Sequence, residues 1–158
     1  IFNFVMKMEG LDFRSALELL ARKAGVELKA KSGEAKQVQK LRERLLAAHA
    51  LAVRYYQATL IKNTKALEYA RKNRGLDKET IRDFGIGYAP DSWEALSHFL
   101  LGQGFTQREL LQGGLAGQKE GRTTVYDMFR GRIMFPICDR DGRPIGFTAR
   151  VLDDGLPK

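Results

Sequence analysis

The stretch FRGRIMFPI, residues 129–137, determines the fold class that the sequence predicts. It ends a run rich in β-branched and aromatic residues, Val125–Ile137, and a second such run follows at Ile145–Leu152. The residues between the two runs, 139–143, read DRDGR, a composition typical of turns. Two strands across such a turn predict a β-hairpin.

Strand geometry predicts how the side chains of this stretch are arranged. Alternate residues of a strand share a face, so Ile133, Phe135 and Ile137 are expected to point inward, and Arg130 and Arg132 outward together. Two strand rises would separate the two arginine Cα atoms by about 6.5 Å, which suits forked contacts to neighbouring phosphates or to a phosphate and a stacked base. Glycine at position 131 would let a nucleic-acid backbone approach closely.

The same arginines also allow a structural interpretation, as exposed strand residues bonded to carboxylates such as Asp127 or Asp139. Arg150, on the second strand, either joins the proposed surface or makes a cross-strand ion pair. An aromatic–basic group can extend the surface, because bases stack on aromatic rings while cations hold phosphates. Its members are Tyr69, Arg71, Lys72 and Arg74. The alternative is a buried Tyr69 with solvated cations.

The N-terminal half is predicted to be helical. Asp12 can cap a helix that ends at Gly25. From about Glu34 to Ile61 there is no glycine or proline, and apolar residues recur at alternating steps of three and four, which predicts one long amphipathic helix. That stripe comprises Val38, Leu41, Leu45, Ala48, Ala52, Tyr55 and Thr59. Basic residues at i, i+4 spacing, Lys36, Lys40 and Arg44, are expected on its outer side.

Shorter elements follow the long helix. Helices are predicted near Thr64–Asn73 and, capped by Asp77, at Lys78–Phe84. A short strand or an extended link is expected within residues 85–90. Asp91 is predicted to begin a helix through Leu101 that buries Trp93, Leu96 and Leu100, and Thr106 with Glu109 forms a capping box for a last helix ending at Gly113-Gly114. The fold class is therefore α+β, a helical first half with one long helix and then a small mixed or antiparallel sheet with a C-terminal hairpin.

Composition excludes some classes of protein and localises the charge. The chain has 158 residues, a formal net charge of +8 and one cysteine. No apolar run reaches the ~18–20 residues of a membrane span, and the single cysteine suggests a reducing, cytoplasmic location. Residues 29–74 carry twelve basic and three acidic side chains. Such a block attracts polyanions or simply forms a solvated helix face.

We find no residues with the pattern of a catalytic or metal site. Asp139 with Asp141, and Asp153 with Asp154, can bind Mg²⁺ in principle, but both pairs precede a glycine in turn-like sequence. The two histidines, at positions 49 and 98, and Cys138 lack the spacing of metal ligands. The chain is therefore expected to bind rather than to catalyse, with no catalytic residue and no metal ligand.

Several ordered motifs together resemble one family, the bacterial DnaG-type DNA primases. The motifs are Tyr69–Leu76, Thr80–Pro90 with Trp93, Phe129–Ile137, Ile145–Val151 and Leu156–Lys158. Residues 1–28 resemble the tail of that family's zinc-binding domain. The resemblance implies a polymerase domain whose basic N-terminal subdomain binds the template, followed by a catalytic Toprim fold. It places the template-binding residues at Arg74, Arg130, Arg132, Arg150 and Lys158.

Where the family often has two glycines before the arginine of the second strand, this chain has Thr148 and Ala149. Their added side chains would narrow a close approach of nucleic acid to Arg150. The segment Leu115–Val125 matches no motif of the family.

The resemblance also implies an organisation and partners. We expect an internal piece of a longer protein, with residues 1–28 as the zinc-domain tail, 29–35 as a basic linker and 36–158 as the N-terminal subdomain of the RNA polymerase domain. The whole protein would synthesise RNA primers on single-stranded DNA at the replication fork, with Zn and Mg as cofactors and a replicative helicase as partner. The fragment alone would be inactive. The alternative is a non-enzymatic interaction module that uses the long helix.

Overall fold

The computed structural model describes residues 1–26 and 33–152, and the chain divides into two units, Ile1–Gln37 and Val38–Lys158. The first unit contains helices α1, Phe2–Met8, and α2, Phe13–Lys23. Asp12 caps α2 by accepting a hydrogen bond of 2.8 Å from the Ser15 amide. Gly25 adopts φ +65°, the left-handed conformation that ends helices. Both local predictions are confirmed.

Helix α3 spans Gly33–Lys62, so the predicted long helix is confirmed and residues 33–35, predicted as linker, already belong to it. The remaining residues of the predicted linker, 29–32, lie outside the described residues. An acidic residue at position 34, in the first turn, favours a helix N-terminus there.

The buried face of α3 differs from the predicted stripe. Its buried residues are Ala48, His49, Ala52, Tyr56 and Leu60. At the N-terminal end of the stripe, Val38 is 67% exposed. A stripe with alternating steps follows a period of 3.5, whereas a straight helix has 3.6 residues per turn, so the buried face drifts along a long helix. Tyr56 and Leu60 are therefore fully buried, whereas Tyr55 packs against the core only partly buried and Thr59 is half-buried.

Arg44 does not lie free on the outer side of α3, as its spacing predicted. Its guanidinium donates to both carboxylate oxygens of Glu109 and to the Gly104 carbonyl. A helix surface that sequence periodicity assigns to solvent is thus partly covered by a later segment of the chain.

Two short helical segments follow α3. Helix α4, Thr64–Glu68, continues into a π-helical turn, Tyr69–Asn73, so the predicted helix is confirmed with a widened last turn. Helix α5, Lys78–Asp83, begins at Asp77, whose carboxylate accepts from the Thr80 amide at 2.7 Å. This predicted cap is also confirmed.

The C-terminal sheet contains β1, Gly87–Ala89, β4, Arg132–Cys138, and β5, Pro144–Val151, in the order β1-β4-β5 and antiparallel throughout. The predicted hairpin is confirmed, and residues 139–143 form its turn. In its register Arg132 pairs with Val151, and Ile133 pairs with Arg150.

A second antiparallel sheet consists of β2, Ala116–Gln118, and β3, Val125–Asp127. The prediction of one strand from Val125 to Ile137 is therefore wrong. Residues 128–131 separate β3 from β4, and Gly131 has φ +59°, which an extended strand does not allow.

Helices α6, Ala95–Gly102, and α7, Gln107–Gln112, pack beside the second sheet. The capping box of Thr106 and Glu109 is confirmed. The prediction that Asp91 begins α6 and that Trp93 is buried is wrong. The helix begins at Ala95, and Trp93 is 57% exposed.

The core has two clusters, one on each face of the three-stranded sheet. Met134 belongs to the cluster that contains Tyr56, Leu96 and Leu110, and the neighbouring Ile133 belongs to the cluster beneath α4 and the π-helical turn. Because successive strand residues point to opposite faces, both faces of β4 are buried near its start. Toward its end Ile137, predicted to point inward, is 49% exposed. The α+β class is confirmed, and within the described residues no helix is long and apolar enough to cross a membrane.

Candidate nucleic-acid interface

Arg130 lies outside the strand in which the sequence placed it. Strand β4 begins at Arg132, and the positive φ of Gly131 turns the backbone between the two arginines. The expectation that their side chains share one strand face is therefore wrong, because the alternation of side chains holds only in extended backbone.

Instead, Arg130 stacks on an exposed aromatic side chain. Its guanidinium carbon lies 3.8 Å from the centroid of the Trp93 ring and 5.8 Å from that of Tyr126. The Trp93 and Tyr126 rings meet edge to face at 5.9 Å. A guanidinium at these distances is attracted by the ring quadrupole. We call the three side chains the Trp93 platform.

Asp127 holds the platform in place through its backbone. Its amide donates to the Trp93 carbonyl at 2.6 Å, and its carbonyl accepts from Nη1 of Arg130 at 2.6 Å. The hydrogen bond fixes the direction of a guanidinium that would otherwise sample many rotamers. Asp127 thus bonds to both Trp93 and Arg130, and Tyr126 is its neighbour in β3.

The Asp127 side chain caps α6 from a distance in sequence. Its carboxylate is 2% exposed and accepts from the amides of Leu96 and Ser97 at 2.8 Å and from the Ser97 hydroxyl at 2.5 Å. A carboxylate at a helix N-terminus satisfies free amides and interacts favourably with the helix dipole. The carboxylate is therefore occupied by α6 and is not the ion-pair partner of Arg130 that the structural interpretation expected.

The sheet register separates Arg132 from Arg150. Arg132 points to the same face as Met134, and Arg150 points to the same face as its partner Ile133. The predicted single row of guanidinium groups on one side of the hairpin is therefore wrong. The register of an antiparallel pair, which the sequence alone does not specify, decides the face of each arginine.

Arg74 lies on the Ile133 side of the sheet. Its Nε and Nη2 donate to the Tyr69 hydroxyl at 3.1 and 2.8 Å, and Tyr69 packs on the cluster that contains Ile133. The described residues thus bring Arg74 and Arg150 to the Ile133 side of the sheet and Arg132 to the Met134 side. Lys158 lies outside the described residues.

The acidic hairpin turn is structural. The Asp139 carboxylate accepts from the Asp141 and Arg143 amides, and the Arg143 guanidinium bonds to Asp139 and Asp141 at 2.8 and 2.5 Å. The hydrogen bonds from Arg143 lower the pKa of Asp139. Within residues 1–26 and 33–152, no three His, Cys, Asp or Glu side chains form a group that could hold a metal. The other aspartate pair, 153–154, lies beyond these ranges.

The structure also places residues near the platform that sequence analysis missed. A groove of about 210 Å³ runs beside it and is lined by Trp93, Glu94, Lys119, Arg122, Thr124, Val125 and Tyr126. Strand β2 and its turn follow no family motif, so the only signal in the sequence was two cations flanking a Glu-Gly pair.

Comparison with known proteins gives concordant results. Residues 55–158 match the family described as "DNA primase catalytic core, N-terminal domain". The DNA primase of Deinococcus radiodurans is 44% identical over 158 residues, and that of Clostridium acetobutylicum is 39% identical over 160. In both cases the alignment covers 100% of this chain and 26% of the relative. The chain thus spans about a quarter of the length of these curated relatives.

Solved structures agree with the sequence relatives. A DnaG primase catalytic domain bound to ssDNA is similar with a TM-score of 0.67 and 33% identity, over 76% of this chain and 37% of that one. The primase of Aquifex aeolicus, comprising zinc-binding and RNA polymerase domains, is similar with a TM-score of 0.66 and 30% identity, over 99% of this chain and 37% of that one. The RNA polymerase domain of the Mycobacterium tuberculosis primase, in complex with a duplex DNA carrying a 6-nucleotide overhang, gives a TM-score of 0.65, with 36% identity over 73% of this chain and 36% of that one.

Proposed function

The chain belongs to the bacterial DNA primase family, and on that premise we propose that it binds and positions a single-stranded DNA template. The observation that carries the proposal is the Trp93 platform, an exposed aromatic ring with a guanidinium held on it. Single strands are recognised by such surfaces, because unpaired bases stack on aromatic rings and cations neutralise the phosphates.

Arg132, two residues after Arg130 of the platform, supplies a phosphate contact. It is half-buried at the start of β4, and its guanidinium makes no hydrogen bond or ion pair within the described residues. A guanidinium with unused donors binds phosphate in a forked geometry. Arg132 therefore holds the template through its backbone, independently of base sequence.

Arg74 and Arg150 extend the proposed contacts along the other side of the sheet, and Lys158 would add a cation outside the described residues. Arg74 is held by Tyr69, so it is a preorganised cation next to an aromatic ring. A template that contacts both groups has to pass around the edge of the sheet. Single-stranded DNA is flexible enough for that path, whereas a stiff duplex is not.

We further propose that the whole protein synthesises RNA primers on single-stranded DNA at the replication fork. A neighbour contains a zinc-binding domain. The described residues do not fit Zn or Mg, because no suitable group of ligands is present among them. In this proposal both metals, and contact with a replicative helicase, belong to other parts of the protein. Residues 1–28 are the zinc-domain tail, 29–35 the connection, of which 33–35 already belong to helix α3, and 36–158 the template-binding subdomain, which alone makes no primers.

The rival proposal, an interaction module that docks a partner through α3, has less support. Part of the Val38–Thr59 stripe that would form its docking face is used by the core of the chain itself, because Ala48 and Ala52 are buried and Tyr55 packs against the core. Light scattering separates the two proposals, since a docking helix of this kind predicts self-association and the template proposal does not require it.

The test is a titration of the chain with fluorescently labelled single-stranded DNA, read by anisotropy at several salt concentrations. With four to five phosphate contacts, the logarithm of the binding constant should fall with that of salt with a slope of roughly −3. The variant Arg132→Ala should lose affinity with an unchanged melting temperature. Arg140→Ala removes an exposed arginine of the same hairpin and is the matched control. Binding without salt dependence, or equal losses in both variants, would contradict the proposal.

A further inference from the structure

The groove beside the Trp93 platform combines an aromatic wall with a cationic one. Trp93 and Tyr126 line one part of it, and the turn between β2 and β3 supplies Lys119, Arg122 and Thr124. The turn is closed by a hydrogen bond of 3.1 Å from the Arg122 amide to the Lys119 carbonyl. Both cationic side chains therefore project from a single tight turn.

The aromatic side of the groove is closely packed, because Tyr126 lies against the backbone of β2. Gly117 of β2 pairs with Tyr126 of β3, and a Cβ atom at Gly117 would lie 2.6 Å from the tyrosine ring. The ring therefore lies flat across the glycine, where any other residue would displace it. The Tyr126 and Trp93 rings in turn pack edge to face, and the Arg130 guanidinium stacks on the Trp93 ring. The orientation of the indole is thus fixed before any ligand arrives.

The charge of the groove favours an anion. Lys119 and Arg122 are exposed, and neither makes an ion pair within the part of the chain that the structure describes. Among the described residues that line the groove, Lys119 and Arg122 are cationic and Glu94 is acidic, while Glu120 lies between the two cations in the turn without lining the groove. An aromatic ring beside paired free cations matches a base and its phosphate.

We propose that this groove is a nucleotide subsite that continues the path of the single strand, with Trp93 stacking one unpaired base and with Lys119 and Arg122 holding the adjacent phosphate. The inference rests on the proposed function, because it extends the template path from Arg132 past the platform to the β2–β3 turn. It assigns a role to a segment that matches no family motif.

Trp93 is the only tryptophan of the chain, so its fluorescence reports on this groove directly. A base that stacks on an indole quenches its emission, whereas a phosphate without a base does not. We would titrate the 158-residue chain with a 12-nucleotide oligothymidylate and with the same oligonucleotide carrying abasic units. The subsite requires quenching by the first, with little quenching by the abasic strand even when it is bound.

The cationic wall is tested by Lys119→Ala combined with Arg122→Ala. This variant should bind the oligothymidylate about five- to tenfold more weakly, and the slope of log K against log salt should become less steep by about 0.7, the value for one phosphate contact on a single strand. Lys40→Ala combined with Arg140→Ala removes the same charge elsewhere and should leave both quantities unchanged. Circular dichroism verifies that both variants fold.

The outcomes separate this inference from the proposed function. If anisotropy shows no binding of single-stranded DNA, the proposed function fails and the subsite fails with it. If the chain binds DNA through Arg132 but Trp93 is not quenched and the Lys119/Arg122 variant binds normally, only the subsite is overturned. Quenching by thymidine monophosphate as strong as by the oligonucleotide would overturn the strand assignment in favour of a free-nucleotide site.

Discussion

The carboxylate of Glu109 accepts two hydrogen bonds from the guanidinium of Arg44, at 2.6 and 2.9 Å, across 65 positions of the sequence. The pair joins the long helix α3 to the start of α7. Arg44 also donates to the Gly104 carbonyl and stacks on Phe105, while Glu109 completes the capping box with Thr106. The loop between α6 and α7 is therefore fixed to α3 by one bidentate ion pair.

This pair predicts an acid-sensitive contribution to stability. The hydrogen bonds from Arg44 lower the pKa of Glu109 from 4.5 to about 2. A lowered pKa in the folded state stabilises the fold above the unfolded value, and the contribution is lost as the pH falls from about 4.5 toward 2. Glu109→Gln should destabilise the fold by about 2 kcal/mol at neutral pH. Its free energy of unfolding should converge with that of the wild type at low pH. Urea denaturation of the wild type and of Glu109→Gln across this pH range measures both free energies of unfolding. If they differed by the same amount at every pH, the ion pair with Arg44 would not be the source of the stabilisation.

Asp127 should be the most sensitive polar residue of the interface. Asp127→Ala leaves the buried amides of Leu96 and Ser97 without their acceptor, which costs about 1–3 kcal/mol for each unsatisfied group. We expect a loss of roughly 3 kcal/mol in chemical denaturation. Asp141→Ala, at an exposed turn carboxylate, should cost less than 0.5 kcal/mol. Equal effects of the two substitutions would show that α6 does not depend on this cap.

Arg130→Lys tests whether the guanidinium acts through Trp93 rather than by charge alone. Lysine keeps the charge but loses the planar stack and the directed hydrogen bond to the Asp127 carbonyl. The steady-state anisotropy of Trp93 fluorescence should fall because the indole moves more freely, and affinity for single-stranded DNA should fall several-fold with an unchanged salt slope. Arg132→Lys is the control and should leave the Trp93 signal unchanged. A changed salt slope in Arg130→Lys would instead point to a phosphate contact.

Gly87 should tolerate no side chain. A Cβ atom there would lie 2.5 Å from the carbonyl carbon of Tyr56 in α3, so Gly87→Ala forces the sheet away from the helix. We expect a destabilisation of about 3 kcal/mol or more in thermal or urea unfolding. Gly146→Ala, in the same sheet but with open space around its Cβ position, should be close to neutral. Similar stabilities of the two variants would mean that the sheet does not pack closely on α3.

Local features of this fold were predictable because each depends on neighbours in the chain. Asp12, Asp77 and Thr106 cap helices through amides three residues later, and the hairpin turn bonds within 139–143. Sequence spacing alone brings such groups together. The same logic failed at Trp93, which was placed inside a helix on its periodicity. The helix starts later, at Ala95, because the carboxylate that accepts from its first amides belongs to Asp127 of β3 and not to a residue just before it in the chain.

The candidate site was predicted in its residue types but not in its arrangement. The sequence around Arg130 already shows the cations and aromatic residues that a candidate single-strand interface needs, because phosphates bind cations and unpaired bases stack on aromatic rings. The positive φ of Gly131, by contrast, interrupts the strand on which the predicted arrangement depended.

The sequence by itself determined the helices, their caps, the hairpin and the excess of cations, since these follow from contacts within a few residues and from charge counts. Only the tertiary structure decided that Arg130 stacks on Trp93, that Arg132 and Arg150 point to opposite faces, and that the β2–β3 turn borders the platform. These relationships join residues that are far apart in the chain, and their geometry depends on strand register and packing of the whole fold.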